Sequence, residues 1–196
     1  MTDNPAAQFA HPFYFLRHGE TEWNRDRRTQ GQTDTTLTAN GVRQAEAAGA
    51  AFRSTPIKRI VASPLSRVRI TADAVAKHHD VPVTYDDALM ECHLGDLQGQ
   101  PHGPWLTDYW TGDFDPPNGE TFLDFATRVW HAMARAVALG PDTLIVAHGG
   151  LWIAARHFVT IEPNLMPMPN AMPLQVFPNA DGWTWQQVGT PDEDAA

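Results

Sequence analysis

Three short apolar runs that each stop abruptly at polar residues constrain this chain more than any other feature. Phe13–Leu16 (FYFL) gives way to Arg17, His18 and Gly19, Lys58–Ala62 (KRIVA) to Ser63-Pro64, and Thr143–Ala147 (TLIVA) to His148 and Gly149-Gly150. The first and third runs, apolar without alternation, read as buried strands, and the second, which opens on Lys58 and Arg59, as a further short strand. Helical patterns lie between them. Thr38 is placed as an N-cap, with Val42, Ala45, Gly49 and Phe52 at helical spacing behind it. Ser63 as cap and Pro64 as first helical residue predict a helix to about His78. Phe122, Phe125, Ala126, Val129, Met133, Ala136 and Val137 form an apolar stripe within Glu120–Leu139, which Gly140-Pro141 ends. A further helix is expected from Gly149-Gly150 to about Phe158.

Pro82–Tyr85 reads as another short strand, and Leu174–Phe177 and Trp183–Val188 as two late strands flanking a turn at Asn179–Gly182. Residues 86–118 lack periodicity and are expected to form a small cap or lid. Alternating strands and helices predict an α/β fold, a three-layer α/β/α sandwich around a mostly parallel central sheet. The 196 residues suit one catalytic domain, with short flexible ends expected near 1–10 and 190–196.

In such sheets ligands bind beyond the carboxyl ends of the strands, so three separate segments would aim their polar residues at one rim. Phosphoryl transfer needs a nucleophile, several donors on the phosphoryl oxygens and an acid for the leaving group. The rim offers His18 as nucleophile, Arg17 and Arg67 as grips, and His148 as a further donor ahead of a glycine-led helix N-terminus. Glu91 is the favoured acid, with Asp86, Asp87, Asp96 and Glu120 as alternatives. Arg25, Arg27 and Arg28 thicken the local positive charge near Arg17, either fringing the site or solvating a loop.

Several classes are disfavoured. The net charge of −9 opposes binding to nucleic acid and to anionic membrane surfaces. The one cysteine, Cys92, supports neither an internal disulfide nor a thiolate zinc site. Nine histidines prompt a metallohydrolase reading, but neither H-x-H nor H-E-x-x-H occurs, and adjacent His78 and His79 would point apart. No apolar run approaches the roughly 20 residues of a membrane helix, and the start lacks signal-peptide features, so a cytoplasmic location is expected. The expected partner is a small-molecule phosphate ester, with a homodimer through an exposed sheet edge as a further option.

The segment FYFLRHGETEWN at 13–24 resembles the signature of the histidine phosphatase superfamily, the phosphoglycerate-mutase-like branch 1. Further segments agree in order: QGQTDTTLTANGVRQA at 30–45, SPLSRVRITA at 63–72, ECHLGDLQG at 91–99, NGETFLDFATRV at 118–129 and VAHGG at 146–150. The resemblance implies a phosphohistidine at His18, with Arg17, Asn24, Arg67 and His148 around the phosphate, Glu91 as proton donor, and no metal or cofactor. Cys92 and Leu94 stand where mutases of the family usually have Arg and Tyr, the cap has no lysine, and the tail PDEDAA is acidic. These departures favour a phosphomonoester hydrolase. A phosphomutase using the same intermediate is the alternative, and a non-catalytic phospho-ligand binding module is a rival of another class. Trp105, Tyr109 and Trp110 either line a leaving-group pocket or pack the cap on the core.

Overall fold

The first apolar run lies inside a seven-stranded sheet, and the computed structural model, which describes residues 8–189, shows why it is apolar throughout. In chain order the elements are β1 (Phe13–Arg17), α1 (Glu22–Arg25), α2 (Ala39–Phe52), β2 (Arg59–Ala62), α3 (Ser66–Ala76), β3 (Val83–Tyr85), α4 (Pro104–Thr111), α5 (Phe122–Ala138), β4 (Thr143–Ala147), α6 (Gly149–Phe158), β5 (Thr160–Glu162), β6 (Pro173–Asn179) and β7 (Gly182–Gln187). The strand order is β3-β2-β4-β1-β6-β7-β5. Successive side chains of a strand point to opposite faces. Phe13 and Phe15 therefore join the core under α5 and α6, with Val129, Met133 and Trp152, while Tyr14 and Leu16 join the core under α2 and α3, with Phe52, Val68 and Val75. The result is a three-layer α/β/α sandwich.

The strands β1, β2, β3 and β4 pair in parallel; β6 is antiparallel to both β1 and β7, and β5 is parallel to β7. The sheet is thus mostly parallel, with β6 alone reversed among the described strands. The short edge strand β5 escaped the sequence reading, because three residues carry no period of their own. Within the expected cap, 86–118, α4 and two 3-10 turns at Asp87–Leu89 and Gly95–Leu97 provide structure that the aperiodic pattern concealed. The first seven residues and those from 190 onward, expected to be flexible ends, lie outside the described residues. Phe9, on the inner side of the expected flexible start, is packed against Phe13, Trp130 and Trp183.

Helix α2 starts as expected, with the Thr38 hydroxyl accepting from the Gly41 N–H. Helix α3 corrects the sequence expectation. It begins at Ser66, not at Pro64, and Leu65 in the N-cap position offers no capping side chain. The cap comes from a distant loop: the Asp34 carboxylate accepts from the Ser66 N–H and from the Ser66 hydroxyl, both at 2.7 Å. An oxygen at a helix N-terminus satisfies an orphan donor and complements the dipole wherever in the chain it originates. Asp34→Ala is expected to lower unfolding stability by about 1 kcal/mol, read from urea titrations, whereas Asp34→Asn should keep most of the wild-type stability.

Candidate active site

The register of the parallel strands brings the three polar stops together. Arg17 lies opposite Ala147 and Ala62 opposite Val146. The ladder runs one step further, with the His18 N–H donating to the Ala147 carbonyl at 3.0 Å and the Ser63 N–H to the Val146 carbonyl at 3.1 Å. His18, Ser63 and His148 therefore share one rim. The His18 and His148 rings lie 5.3 Å apart between centroids.

His18 is buried, and its Nδ1 lies 2.7 Å from the Gly19 carbonyl. A carbonyl only accepts, so Nδ1 carries the proton and the neutral ring keeps its lone pair on Nε2. The Gly19 peptide is itself held, its N–H donating to Thr71 Oγ1 at 3.1 Å. Gly19 is obligatory here, because a Cβ would stand 2.3 Å from the Gly41 carbonyl oxygen. Asn170 Nδ2 donates to the His18 carbonyl at 2.9 Å. Burial first, then the charges of Arg67 and Arg17, hold the His18 pKa well below the ordinary imidazole value.

The two arginines approach from different elements. Arg67, near the start of α3, is fully buried, with Nη1 donating to the Thr33 carbonyl at 2.9 Å and Nη2 to the Gly31 carbonyl at 2.8 Å. Burial lowers its pKa to about 10, so it stays charged at neutral pH. Arg17 Nη1 donates to the Met168 carbonyl. The Nε of each guanidinium is buried without a partner. His148 accepts or donates at Nε2 with Ser63 Oγ, 2.9 Å away, while its Nδ1 is buried and unpaired. If the Ser63 hydroxyl donates, Nδ1–H becomes a third unpaired donor; burial and Arg67 hold this ring's pKa down as well. Buried donors without acceptors are costly, and three around one histidine suit an anion with several oxygens.

Glu91 completes the set. Its Oε2 accepts from the Gly150 N–H in the first turn of α6 at 3.1 Å, and its Oε1 from the Cys92 N–H at 3.1 Å. A Cβ on Gly150 would sit 2.0 Å from Glu91 Oε1, so only glycine allows this approach. Asn24 Oδ1 accepts from the Thr21 N–H, the Thr21 hydroxyl and Asn170, which leaves its NH2 to the cavity it lines.

Arg17, His18, Asn24, Arg67 and Glu91 line one cavity of about 210 Å³. His148 does not itself line the cavity; it is fully buried, with its ring next to that of His18. Arg28 and Gln30 also line the cavity, whereas Arg25 is exposed in an ion pair with Asp26. Three arginines face one carboxylate there, so the site is cationic within an acidic chain. Of the cap aromatics Trp110 reaches the cavity; Tyr109 is fully buried against Trp110 and Phe122, and Trp105 packs on Phe114. The alternative acids lie elsewhere: Asp86 pairs with Arg135, Asp96 accepts from Asn118, Glu120 pairs with Arg128, and Asp87 opens a 3-10 turn. Thr71 and Asn170 escaped the sequence reading: Thr71 lies within the quoted segment 63–72 but was given no role there, and nothing near Asn170 in the chain marks it. Cys92 is buried, and burial together with Glu91 pushes its thiol pKa up. Among the described residues no three His, Cys, Asp or Glu side chains group to hold a metal, and no helix is long and apolar enough to cross a membrane.

The model of the histidine phosphatase superfamily, branch 1, matches residues 13–190, and the chain belongs to that superfamily. It is 38% identical over 148 residues to a protein of Citrobacter koseri named probable phosphoglycerate mutase GpmB, covering 69% of this chain and 68% of that relative. A mycobacterial glucosyl-3-phosphoglycerate phosphatase, solved with VO3, shares 31% identity at a TM-score of 0.75 and covers 91% of this chain and 97% of its own. The α-ribazole phosphatase of Shigella flexneri shares 25% at a TM-score of 0.76, covering 91% and 96%. The similar proteins are thus named as phosphatases and as mutases, and this chain is an enzyme of that superfamily.

The buried neutral histidines make stability depend on pH. Their folded pKa values lie below the unfolded value of about 6.5, so the unfolded chain binds protons first as pH falls. Stability is complete above about pH 6.5 and is lost as pH drops towards the folded values. The melting temperature should fall between pH 7.5 and 5.5, and His148→Gln should make that fall shallower.

Proposed function

We propose that this chain is a metal-independent phosphomonoester hydrolase that acts on a small phosphorylated metabolite through a phosphohistidine at His18. One observation carries the reading: a buried neutral histidine with Nδ1 already bonded stands among unpaired arginine N–H groups, beside a carboxylate held at a helix N-terminus.

The His18 Nε2 lone pair attacks phosphorus as the bond to the leaving oxygen breaks. Arg17 and Arg67 take up the charge on the phosphoryl oxygens with the Asn24 amide as a further donor, and His148 Nδ1–H, buried and unpaired beside His18, serves a phosphoryl oxygen seated against the His18 ring. Depressed His18 basicity keeps the ring neutral for attack. Glu91 in its acid form gives its proton to the departing oxygen. As carboxylate it then takes a proton from water, whose oxygen attacks the phosphohistidine and releases phosphate. Proton and charge return to their starting places.

Hydrolysis is favoured over mutase action by the apolar part of the cavity lining, Leu94, Leu106, Trp110, Ile153 and Met166. Beyond His18 and the phosphate-gripping pair, Arg28 and His102 are the basic residues that line the cavity. A mutase must retain a sugar acid carrying a second anionic group against water, and buried Cys92 offers it no strong donor. The mutase reading keeps the support of the relatives named as probable phosphoglycerate mutases, at 36–38% identity.

Phosphate release from sugar, nucleotide and aromatic esters in excess chelator should persist and should vanish in His18→Ala. Isomerisation of 3-phosphoglycerate without release would overturn the hydrolase reading in favour of the mutase. Silence in both assays would leave a binding module.

A second expectation concerns pH. After allowance for the ester's own second ionisation, about 6 for phosphate monoesters, kcat/KM should show no loss from His18 protonation between pH 7.5 and 6.5. An enzyme ionisation near 6.5 that inactivates would contradict the depressed His18 pKa.

A further inference from the structure

We infer that Arg128 and Glu120 are positioning residues for the proton donor, fixing Glu91 from outside the cavity; this rests on the assignment of Glu91 as the acid. Glu91 sits in an irregular stretch between the 3-10 turns Asp87–Leu89 and Gly95–Leu97, where no ladder of backbone hydrogen bonds holds it. A proton donor must nevertheless be placed within a fraction of an ångström of the leaving oxygen.

Arg128, on α5, supplies what the stretch lacks. Its Nη1 donates to the Ala88 and Met90 carbonyls, each at 3.0 Å, and its Nη2 to the Glu91 carbonyl at 3.3 Å. Nη2 and Nε also grip the Glu120 carboxylate, at 2.5 and 3.2 Å. Glu120 passes the restraint on: its Oε1 accepts from the His93 N–H at 2.8 Å, and its own N–H donates to the His93 carbonyl at 2.8 Å. Residues 88, 90, 91 and 93 are thus tied to one ion pair. Gln32 Nε2 adds a bond to the Glu91 carbonyl at 3.1 Å. Neither Arg128 nor Glu120 lines the cavity, so each acts through Glu91. The planar five-donor fork of arginine matches this set of acceptors, and a lysine ammonium cannot reproduce it.

A brace for the acid and a brace for the fold differ in what their loss does to different leaving groups. An alkoxide needs a proton to depart, whereas a dinitrophenolate leaves without one. The test compares kcat/KM, which reports phosphoryl transfer to His18, for glycerol 2-phosphate and 2,4-dinitrophenyl phosphate. The enzymes are wild type, Glu91→Gln, Arg128→Lys, Arg128→Met and Glu120→Gln, each with its melting temperature. Glu91→Gln and the Arg128 variants should lose on the order of 100-fold on the alkyl ester and less than about threefold on the dinitrophenyl ester, the span a general acid supplies. Should Arg128→Met fail to fold, Arg128→Lys and Glu120→Gln carry the same comparison. Equal losses on both esters in these variants, with Glu91→Gln still selective, would reduce the pair to a structural brace and overturn the inference. If Glu91→Gln itself shows no selectivity, the acid assignment fails and the positioning role falls with it.

Discussion

The fully buried Arg67 guanidinium is the charge around which the rim is built. Burying an unpaired cation costs several kcal/mol, and here two carbonyls, from Gly31 and Thr33, offset that cost while leaving Nε open. The same loop also supplies Asp34, which caps α3 at Ser66, the residue just before Arg67. Loop and helix start therefore clasp each other, and the charge survives because its acceptors come from a segment remote in the chain. Gly31 takes a positive φ of 53° in that loop, where a Cβ would lie 2.4 Å from Gln98 Oε1.

From that charge much of the site's electrostatics follows. Arg67 and Arg17 suppress protonation of His18, and Arg67 does the same to His148, beyond what burial achieves. A histidine that stays neutral is the form able to attack phosphorus in the proposed reaction. The cation cluster also offers an attractive cavity in a chain of net charge −9. Low-dielectric walls concentrate such a local field, so that a small dianion can be drawn in although the surface at large repels it.

The strands and the amphipathic helices were legible because their periods are local. Helix α2 with its Thr38 cap and α5 with its apolar stripe lie close to where the sequence alone places them. Helix α4, strand β5 and the true start of α3 were not legible. The first two are too short to establish a period, and the third is set by Asp34, 32 residues away from Ser66. Ser63, read as a helix cap, is released for His148 by that substitution of partners.

The sequence by itself determined the polar residues that stop the apolar runs, and with them the rim, the two histidines and the two arginines. Strand alternation and the parallel crossover rule leave little freedom in where those residues end up. Tertiary structure decided which carboxylate joins them. Five acidic residues were candidates, by nearness in the chain or by the family resemblance, and Glu91 alone among them reaches the cavity, because Gly150 admits it to the α6 N-terminus while Arg128 pairs with Glu120 and holds the loop. Hydrogen bonds between distant segments carry no local periodicity, so their effect appears only once the chain has folded.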